Sequence, residues 1–466
     1  MHLKPRFVQV TILCATIALV ACGGGKEMSN TVALMSETPV VATTPAVETE
    51  QQLVRRAMEI HQRVITLDTH NDFSDANFTE DLNYTMDIRS QVNLPKMEAG
   101  GLDVSWLIVY TGQGTLDEPG YAAAYHQAMK KFDSIHWLTT EKAPDEIGLA
   151  LTSDDVRRLD SEGKKVAMIG VENAYPLGLD LGNIKKFADL GARYISLAHN
   201  GHSQFADSNT GEAINPDTGE HVEPWLYEGL SELGKKAIPL INRYGVMLDL
   251  SHPSKQANLQ TMALSKAPVI ASHSSAAGLS PSISRNLSDE ELLALKSNGG
   301  VVQTVAFASY LDPVRDGAYR KQLKILHEEI AAGLGFTLID RYARRALSDQ
   351  DRATYDDGFY KVKRLAAPRL EKEVYAFAPP VDVGVFVDHI DYMVGLIGLA
   401  HVGISSDFDG GGGVYGWNSA DETHNVTIEL VRRGYTEEQI SALWSGNLLR
   451  VLDEVQAVAK SLQLGS

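Results

Sequence analysis

The chain has 466 residues, of which 44% are hydrophobic, 7% aromatic and 22% charged. This is a globular composition, and it excludes a disordered, collagenous or polytopic membrane protein. The 42 Lys and Arg against 60 Asp and Glu give a formal net charge of −18, and an acidic surface repels phosphate backbones, which argues against a nucleic-acid partner.

The N-terminus carries Lys4 and Arg6, followed by an apolar run from Phe7 to Ala21. At about 15 residues the run is short for a membrane span and suits the core of a signal peptide. It ends in Leu19-Val20-Ala21-Cys22, which resembles a bacterial lipobox, where the peptide is cut before the cysteine and the thiol is lipidated. An ordinary secretory signal that contains a Cys is the alternative. Residues 23–50 begin Gly23-Gly24-Gly25, contain no aromatic residue and show no helical period, as expected of a flexible tether. The predicted organisation is a signal peptide over 1–21, a lipidated Cys22 and linker over 22–50, and one domain over 51–466. Gly rather than Asp after Cys22 implies, by the same resemblance, sorting to the outer membrane of a Gram-negative cell, with the domain facing the periplasm. Cleavage before Cys22 removes Lys4 and Arg6 and no acid, leaving a charge of −20. Cys14 and Cys22 are the only cysteines, so the domain has no disulfide and any buried metal must be held by His, Asp and Glu.

Beyond residue 51, helical and strand patterns alternate. A helical stretch at 55–63 precedes the apolar run 64–67, and similar Val-, Ile- and Leu-rich runs follow at 104–109, 166–171, 194–198, 246–250, 268–272, 301–305 and 401–406. Each has the length of a buried parallel strand. Helical segments such as 182–190, 229–244, 254–265 and 288–298 lie between them. Eight strands alternating with helices predict an α/β fold, a (β/α)8 TIM barrel. Residues 203–228 are predicted as a long loop over the mouth. Residues 308–385, between the seventh and eighth runs, are predicted as a helical insertion serving as a lid or an oligomer contact, since their length forbids a bare loop.

The ends of the runs carry the chemistry. Six of the eight deliver a His or a carboxylate at the carboxyl end: Asp68-Thr69-His70-Asn71-Asp72, Glu172-Asn173, His199-Asn200, Ser251-His252, Ser272-His273 and Asp407-Phe408-Asp409. Barrel enzymes build their active sites on that face. His70 and Asp72 stand two apart, on one side of an extended segment, and can hold one ion. His252 and His273 end adjacent strands and can hold a second, with Glu172 able to bridge. Such a nitrogen and oxygen set suits Zn²⁺ or another first-row divalent ion. Two ions can share a hydroxide as the nucleophile of a hydrolase. Asp407 is the candidate to shuttle the proton, with Asp409 as the alternative. His61, His126, His136, His327, His389 and His401 are assigned structural roles, and Gly410 to Gly413 a turn rather than a phosphate cradle.

These pieces, with Arg193-Tyr194-Ile195-Ser196-Leu197-Ala198-His199-Asn200, Ser284-Arg285-Asn286 and Gly446-Asn447-Leu448-Leu449-Arg450, resemble the membrane dipeptidase (renal dipeptidase) family of zinc metallopeptidases, in family order across about 53–455. The resemblance implies a barrel of the metal-dependent hydrolase type and two Zn²⁺ per chain, one on His70 and Asp72, one on His252 and His273, bridged by Glu172. It implies that His199 contacts substrate and helps stabilise the oxyanion, that Arg285 holds the substrate carboxylate, and that Asp407 shuttles the proton. The implied reaction is dipeptide hydrolysis, with tolerance for a D-residue on the carboxyl side; some members open β-lactams, and members are often homodimers. The chain departs from the animal members in its longer 308–385 insertion, in lacking their cysteines and C-terminal lipid attachment, and in one extra residue between His273 and Arg285. Two rival readings stand beside this one. One is a binuclear amidohydrolase acting on N-acyl amino acids, lactones or β-lactams, separated by whether Arg285 faces the metals. The other is a tethered metal- or peptide-binding lipoprotein without turnover, which has no need of Asp407.

Overall fold

Thr49 starts the first helix. Its hydroxyl caps the Gln52 N–H while the Gln52 side chain returns to the Thr49 N–H, a capping box that opens helix Glu50–His61. The predicted helix at 55–63 therefore begins five residues earlier, within the last residues assigned to the linker. The computed structural model describes residues 48–210, 225–340, 343–344 and 346–465, apart from the side chain at position 349. The predicted signal peptide, Cys22 and the linker up to residue 47 lie outside the described residues, as does 211–224 of the predicted mouth loop.

Nine parallel strands follow: β1 (Leu67–Asn71), β2 (Val104–Tyr110), β3 (Ile147–Leu149), β4 (Lys165–Glu172), β5 (Ala192–Ser196), β6 (Met247–Asp249), β7 (Ile270–Ala271), β8 (Val301–Val305) and β9 (Val402–Ser405). Eight of them run in the order β1-β2-β4-β5-β6-β7-β8-β9. The ring closes at its carboxyl end, where Asn71 pairs with Phe408 and the Asp72 N–H donates to the Phe408 carbonyl at 2.9 Å. This is the predicted (β/α)8 barrel. The ninth strand, β3, pairs with β4 outside the ring; at three residues it is too short to stand out as an apolar run.

β1 differs from its prediction in a way that matters for the site. The apolar run 64–67 is only its approach, and the strand itself is the polar stretch Leu67–Asn71, buried along its whole length. Its polar groups are used to tie strands together. Asp68 accepts from the Ser406 N–H at 2.9 Å, Asn71 donates to Asp68 at 2.7 Å, Ser105 donates to Asn71 at 2.6 Å, and Thr69 donates to the Ser272 carbonyl at 2.7 Å. A buried polar group without a partner costs about 1–3 kcal/mol, so this strand is tolerated only because its neighbours satisfy it.

The barrel interior is filled by Leu67, Trp106, Met168, Tyr194, Met247 and Ile270, and the same cluster takes in Leu448, Leu449 and Leu452 of the C-terminal helix Asn447–Leu464. A second, larger core packs the strands against the surrounding helices. The 308–385 segment folds around a small core of its own, with Leu326 and Ile330 of helix Pro313–Leu334 against Val362 and Ala366 of helix Asp349–Ala366. Residues 49–466 form one compact unit, and among the described residues no helix is long and apolar enough to cross a membrane.

Candidate metal centre

The carboxyl ends of β1, β4, β6, β7 and β9 bring His70, Asp72, Glu172, His252, His273 and Asp407 together. One carboxylate oxygen, Glu172 Oε1, is the hub. His252 Nε2 lies 3.0 Å from it, His273 Nε2 3.3 Å, His70 Nε2 3.6 Å and His199 Nε2 3.8 Å. His252 Nε2 and His273 Nε2 are 3.0 Å apart. On the other side, His70 Nε2 is 3.8 Å from Asp72 and 3.9 Å from Asp407. His70 Nε2 and Asp72 Oδ1 are buried without a hydrogen-bond partner.

The backbone is bent to achieve this. His252 and Asp407, together with Asn173 beside Glu172, have φ of 83°, 60° and 76°, in the left-handed region. Each such residue costs on the order of 1–3 kcal/mol and is held in place by surrounding structure, a pattern that clusters at functional sites. Gly410 is required by close approach: a Cβ there would stand 2.3 Å from Asp407 Oδ1 and 2.5 Å from Asp72 Oδ2.

Hydrogen bonds behind the cluster set the histidine tautomers. The Tyr194 hydroxyl donates to the Thr69 carbonyl at 3.2 Å, so its oxygen accepts from His70 Nδ1–H at 2.8 Å and Nε2 points into the centre, where, against burial, Glu172 and Asp72 raise the ring's pKa well above the usual histidine range, so that a cation binding there would displace its Nε2 proton. The Ser272 hydroxyl donates to Asp249 at 2.7 Å and accepts from His273 Nδ1–H at 2.8 Å, so the His273 Nε2 also points into the centre. Partners of this kind orient metal-binding imidazoles and raise their basicity. Burial, then the Arg285 and His199 charges, holds His252 well below the usual histidine range; burial, His70 and Arg285 do so for His273. Both are therefore neutral, the form that binds metal. Burial opposes ionisation of Glu172, yet His199 and His70 keep it well below the ordinary carboxylate range. Burial pushes Asp407 well up, against the pull of His70 and with the push of Asp72 and Glu172. Three carboxylates and converging imidazole lone pairs in a buried space fit divalent cations, since such a set is destabilised unless positive charge joins it.

The other predicted residues fall as follows. His199, at the mouth of β5, sits edge-on to the Tyr110 ring at 4.8 Å, and burial lowers its pKa. Arg285 is buried beside the centre, with one guanidinium nitrogen donating to Ser274 at 2.6 Å and another to the His273 carbonyl at 2.8 Å, while its Nε has no partner. Two of its five donors are so engaged. Asp409 turns away, its carboxylate accepting from the Gln91 and Val92 N–H groups. Four of the six histidines assigned structural roles are engaged elsewhere, His61 with Thr427 and Gly100, His136 with Leu190, His389 with Ala276 and Leu311, and His401 with Gly300, whereas His327 lines the cavity that opens from the centre. Sequence reasoning missed the supporting Tyr194, Asp249 and Ser272. Their signal is a polar or phenolic residue inside an apolar run. It also missed Lys131, which is buried and donates to the carbonyl of Phe73, next to Asp72, at 2.7 Å.

A closed parallel barrel with this constellation at its carboxyl end is a metal-dependent hydrolase. The family described as membrane dipeptidase (peptidase family M19) matches residues 54–466, and the chain belongs to it. It is a metallo-dipeptidase, a hydrolase of peptide bonds. Among its relatives, Dipeptidase aclJ of Aspergillus oryzae is 28% identical over 421 residues, covering 87% of this chain and 81% of the relative. Dipeptidase verJ of Clonostachys rogersoniana is 30% identical over 336 residues, covering 72% and 66%. The crystal structure of the probable dipeptidase PvdM from Pseudomonas aeruginosa superposes with a TM-score of 0.69 at 32% identity, covering 88% of this chain and 100% of that one. A metallopeptidase from Rhodobacter sphaeroides, liganded with a phosphinate mimic of the dipeptide L-Ala-D-Ala, shares the fold with a TM-score of 0.60 at 21% identity, covering 84% and 99%.

Proposed function

We propose that this metallo-dipeptidase uses two Zn²⁺ per chain, one on His70 and Asp72, the other on His252 and His273, with Glu172 bridging. The observation that carries the reading is the convergence of four imidazole Nε2 atoms on Glu172 Oε1, at 3.0–3.8 Å. Bound there, divalent ions supply Lewis acidity and a water activated at neutral pH. The remaining work falls to the chain's own side chains. Arg285 holds the carboxylate of the dipeptide through its unengaged donors, a role that suits a planar guanidinium. His199, whose pKa burial lowers, contacts the substrate and stabilises the tetrahedral oxyanion. Asp407 takes the proton of the attacking water and passes it to the leaving amine; the burial and crowding of negative charge that raise its pKa favour that uptake. A D-residue on the carboxyl side is accepted. The chain is anchored through lipidated Cys22 and faces the periplasm, so Cys22→Ser should move the protein from the membrane fraction to the soluble one.

The test is release of free amino acid from L-Ala-L-Ala and L-Ala-D-Ala, with zinc counted on the same sample and a chelated control. Chelator-sensitive cleavage with two zinc ions per chain is expected. Two ions without cleavage of either dipeptide would sink the substrate assignment and turn the search to N-acyl amino acids, lactones and β-lactams.

A further inference from the structure

The metal centre opens into a cavity of about 2110 Å³. Pockets that enclose a drug-sized ligand measure about 300–1,000 Å³, so a plain dipeptide leaves most of this space unfilled. The excess volume lies between two walls that the barrel itself does not supply. One wall is the segment after β1, contributing Leu82, Met86 and Ile88; the other is the 308–385 insertion, contributing Leu323, Ile339 and Phe359. Leu82 and Met86 remain 41% and 45% exposed, apolar surface facing the space rather than the core. Phe359 stands in an aromatic row with Tyr355 at 6.1 Å and His327 at 5.7 Å.

The walls are tied across the mouth. Arg89 of the first wall pairs with Asp357 at 2.6 Å and lies 4.4 Å from the Tyr360 ring centre on the second. The chamber is therefore bounded on both sides. Its outer wall carries more cations than acids, in a chain whose formal charge is −18: Arg320, Lys324, Arg344 and Lys363 line it with Asp340 and Asp356, of which Asp356 pairs with Arg344. Arg320 pairs with Asp316, and Lys324 lies 3.6 Å from Glu328. Lys363 lies 5.1 Å from the Phe359 ring centre and has no carboxylate partner among the described residues. An apolar, aromatic space with cations at its rim is complementary to an aromatic group that bears negative charge.

We infer that the chamber between the insertion and the segment after β1 is an outer subsite, and that the substrate is a two-residue unit whose first residue carries a bulky aromatic, anionic appendage. The inference rests on the dipeptidase reading above: with the carboxylate at the buried Arg285 and the scissile carbonyl at the metal centre, the first residue is the part directed toward the mouth.

The experiment compares three substrates on the full zinc-loaded chain. They are L-Ala-L-Ala, γ-(naphthyl amide)-L-Glu-L-Ala, and the same compound with a sulfonate on the naphthyl ring. Expected are a kcat/KM for the naphthyl substrates about tenfold or more above that for L-Ala-L-Ala, from burial of the ring, and a further gain for the sulfonated one. Lys363→Glu, at an exposed position, should lower the sulfonated-to-neutral ratio by about threefold. Tyr360→Ala should lower both naphthyl substrates relative to L-Ala-L-Ala. If L-Ala-L-Ala is cleaved as well as the naphthyl substrates, or neither variant moves the ratios, the subsite is refuted while the dipeptidase reading survives. If none of the three is cleaved, the dipeptidase reading fails and takes the subsite with it.

Discussion

Tyr194→Phe isolates one hydrogen bond under the metal centre. The substitution keeps the ring, which stacks on Trp106 with centres 5.0 Å apart, so the barrel interior stays packed. It removes the hydroxyl that accepts from His70 Nδ1–H at 2.8 Å and donates to the Thr69 carbonyl at 3.2 Å. Both partners are buried, so no water replaces the hydroxyl, and leaving a buried polar group unpaired costs about 1–3 kcal/mol. Part of that loss appears as weaker metal binding, because His70 is then free to rotate or to shift its proton to Nε2. Loss of a partner of this kind lowers metal affinity by about 10- to 100-fold. Competition with a zinc chelator should show one ion per chain weakened by that factor and the other little changed, since His273 has a separate support in Ser272 and His252 Nδ1 makes no hydrogen bond to Tyr194. Gly170→Ala should mimic the effect, as a Cβ there would come 2.1 Å from the Tyr194 ring. Unchanged affinity for both ions in Tyr194→Phe, with the fold intact, would refute the argument that this bond sets the His70 tautomer.

Asp407→Asn should keep two metals per chain while kcat falls by about 10²–10⁴, the range of general acid–base catalysis; near-normal turnover would remove Asp407 as the shuttle. Gly410→Ala should lower both metal content and activity, because its Cβ would meet two carboxylate oxygens at 2.3 and 2.5 Å; intact zinc stoichiometry would count against that crowding. Chelation should lower thermal stability by mass action: at about 1,000 times Kd each site contributes roughly 4 kcal/mol, and a melting temperature indifferent to chelator would mean the cluster holds no ions in the folded chain. Away from the metals, burial lowers the pKa of His61 and of His389. As pH falls through about 6.5 the unfolded chain takes up these protons before the folded one does, so stability drops on the acid side, by at most about 1.4 kcal/mol per pH unit for each proton. Urea midpoints at pH 7 and pH 5.5 should show the drop, and His61→Asn should flatten it; an equal slope in the variant would show that His61 titrates alike in both states.

Seven of the eight barrel strands coincide closely with apolar runs because a parallel strand covered by helices is buried on both faces and must be apolar. β1 broke that rule. Its residues from Asp68 to Asn71 are polar yet buried, and they belong to the ring because Ser105 on β2 and Ser272 and Ser406, just past the ends of β7 and β9, supply partners. A single sequence cannot announce partners so distant along the chain. The clustering of His70, Asp72, Glu172, His252, His273 and Asp407 was legible because each of them closes a recognisable run. The support behind it was not: Tyr194 reads as an ordinary strand aromatic, and Ser272 as a small residue at a turn. What makes them functional is the direction in which each hydroxyl points. The wall formed by the insertion was equally hidden, since its length indicated helices but nothing in its pattern indicated which faces line the cavity.

The same comparison explains why the barrel end tolerates a set of groups that would be destabilising elsewhere. Two buried carboxylates, Glu172 and Asp407, and the half-buried Asp72 crowd negative charge together without cations. The structure holds them by means independent of the metals: left-handed backbone at His252 and Asp407, a glycine at 410 that admits two carboxylates side by side, and hydroxyls that fix the tautomers of His70 and His273. Each of these is costly alone and is offset by the apolar core below, where Trp106, Met168 and Met247 are fully buried. A centre prepared in this way does not need to reorganise when ions arrive, so the free energy of metal binding goes into affinity and alignment rather than into folding the site. That separation is why substitutions beneath the centre, at Tyr194 and Gly170, are expected to change metal affinity while leaving the barrel standing.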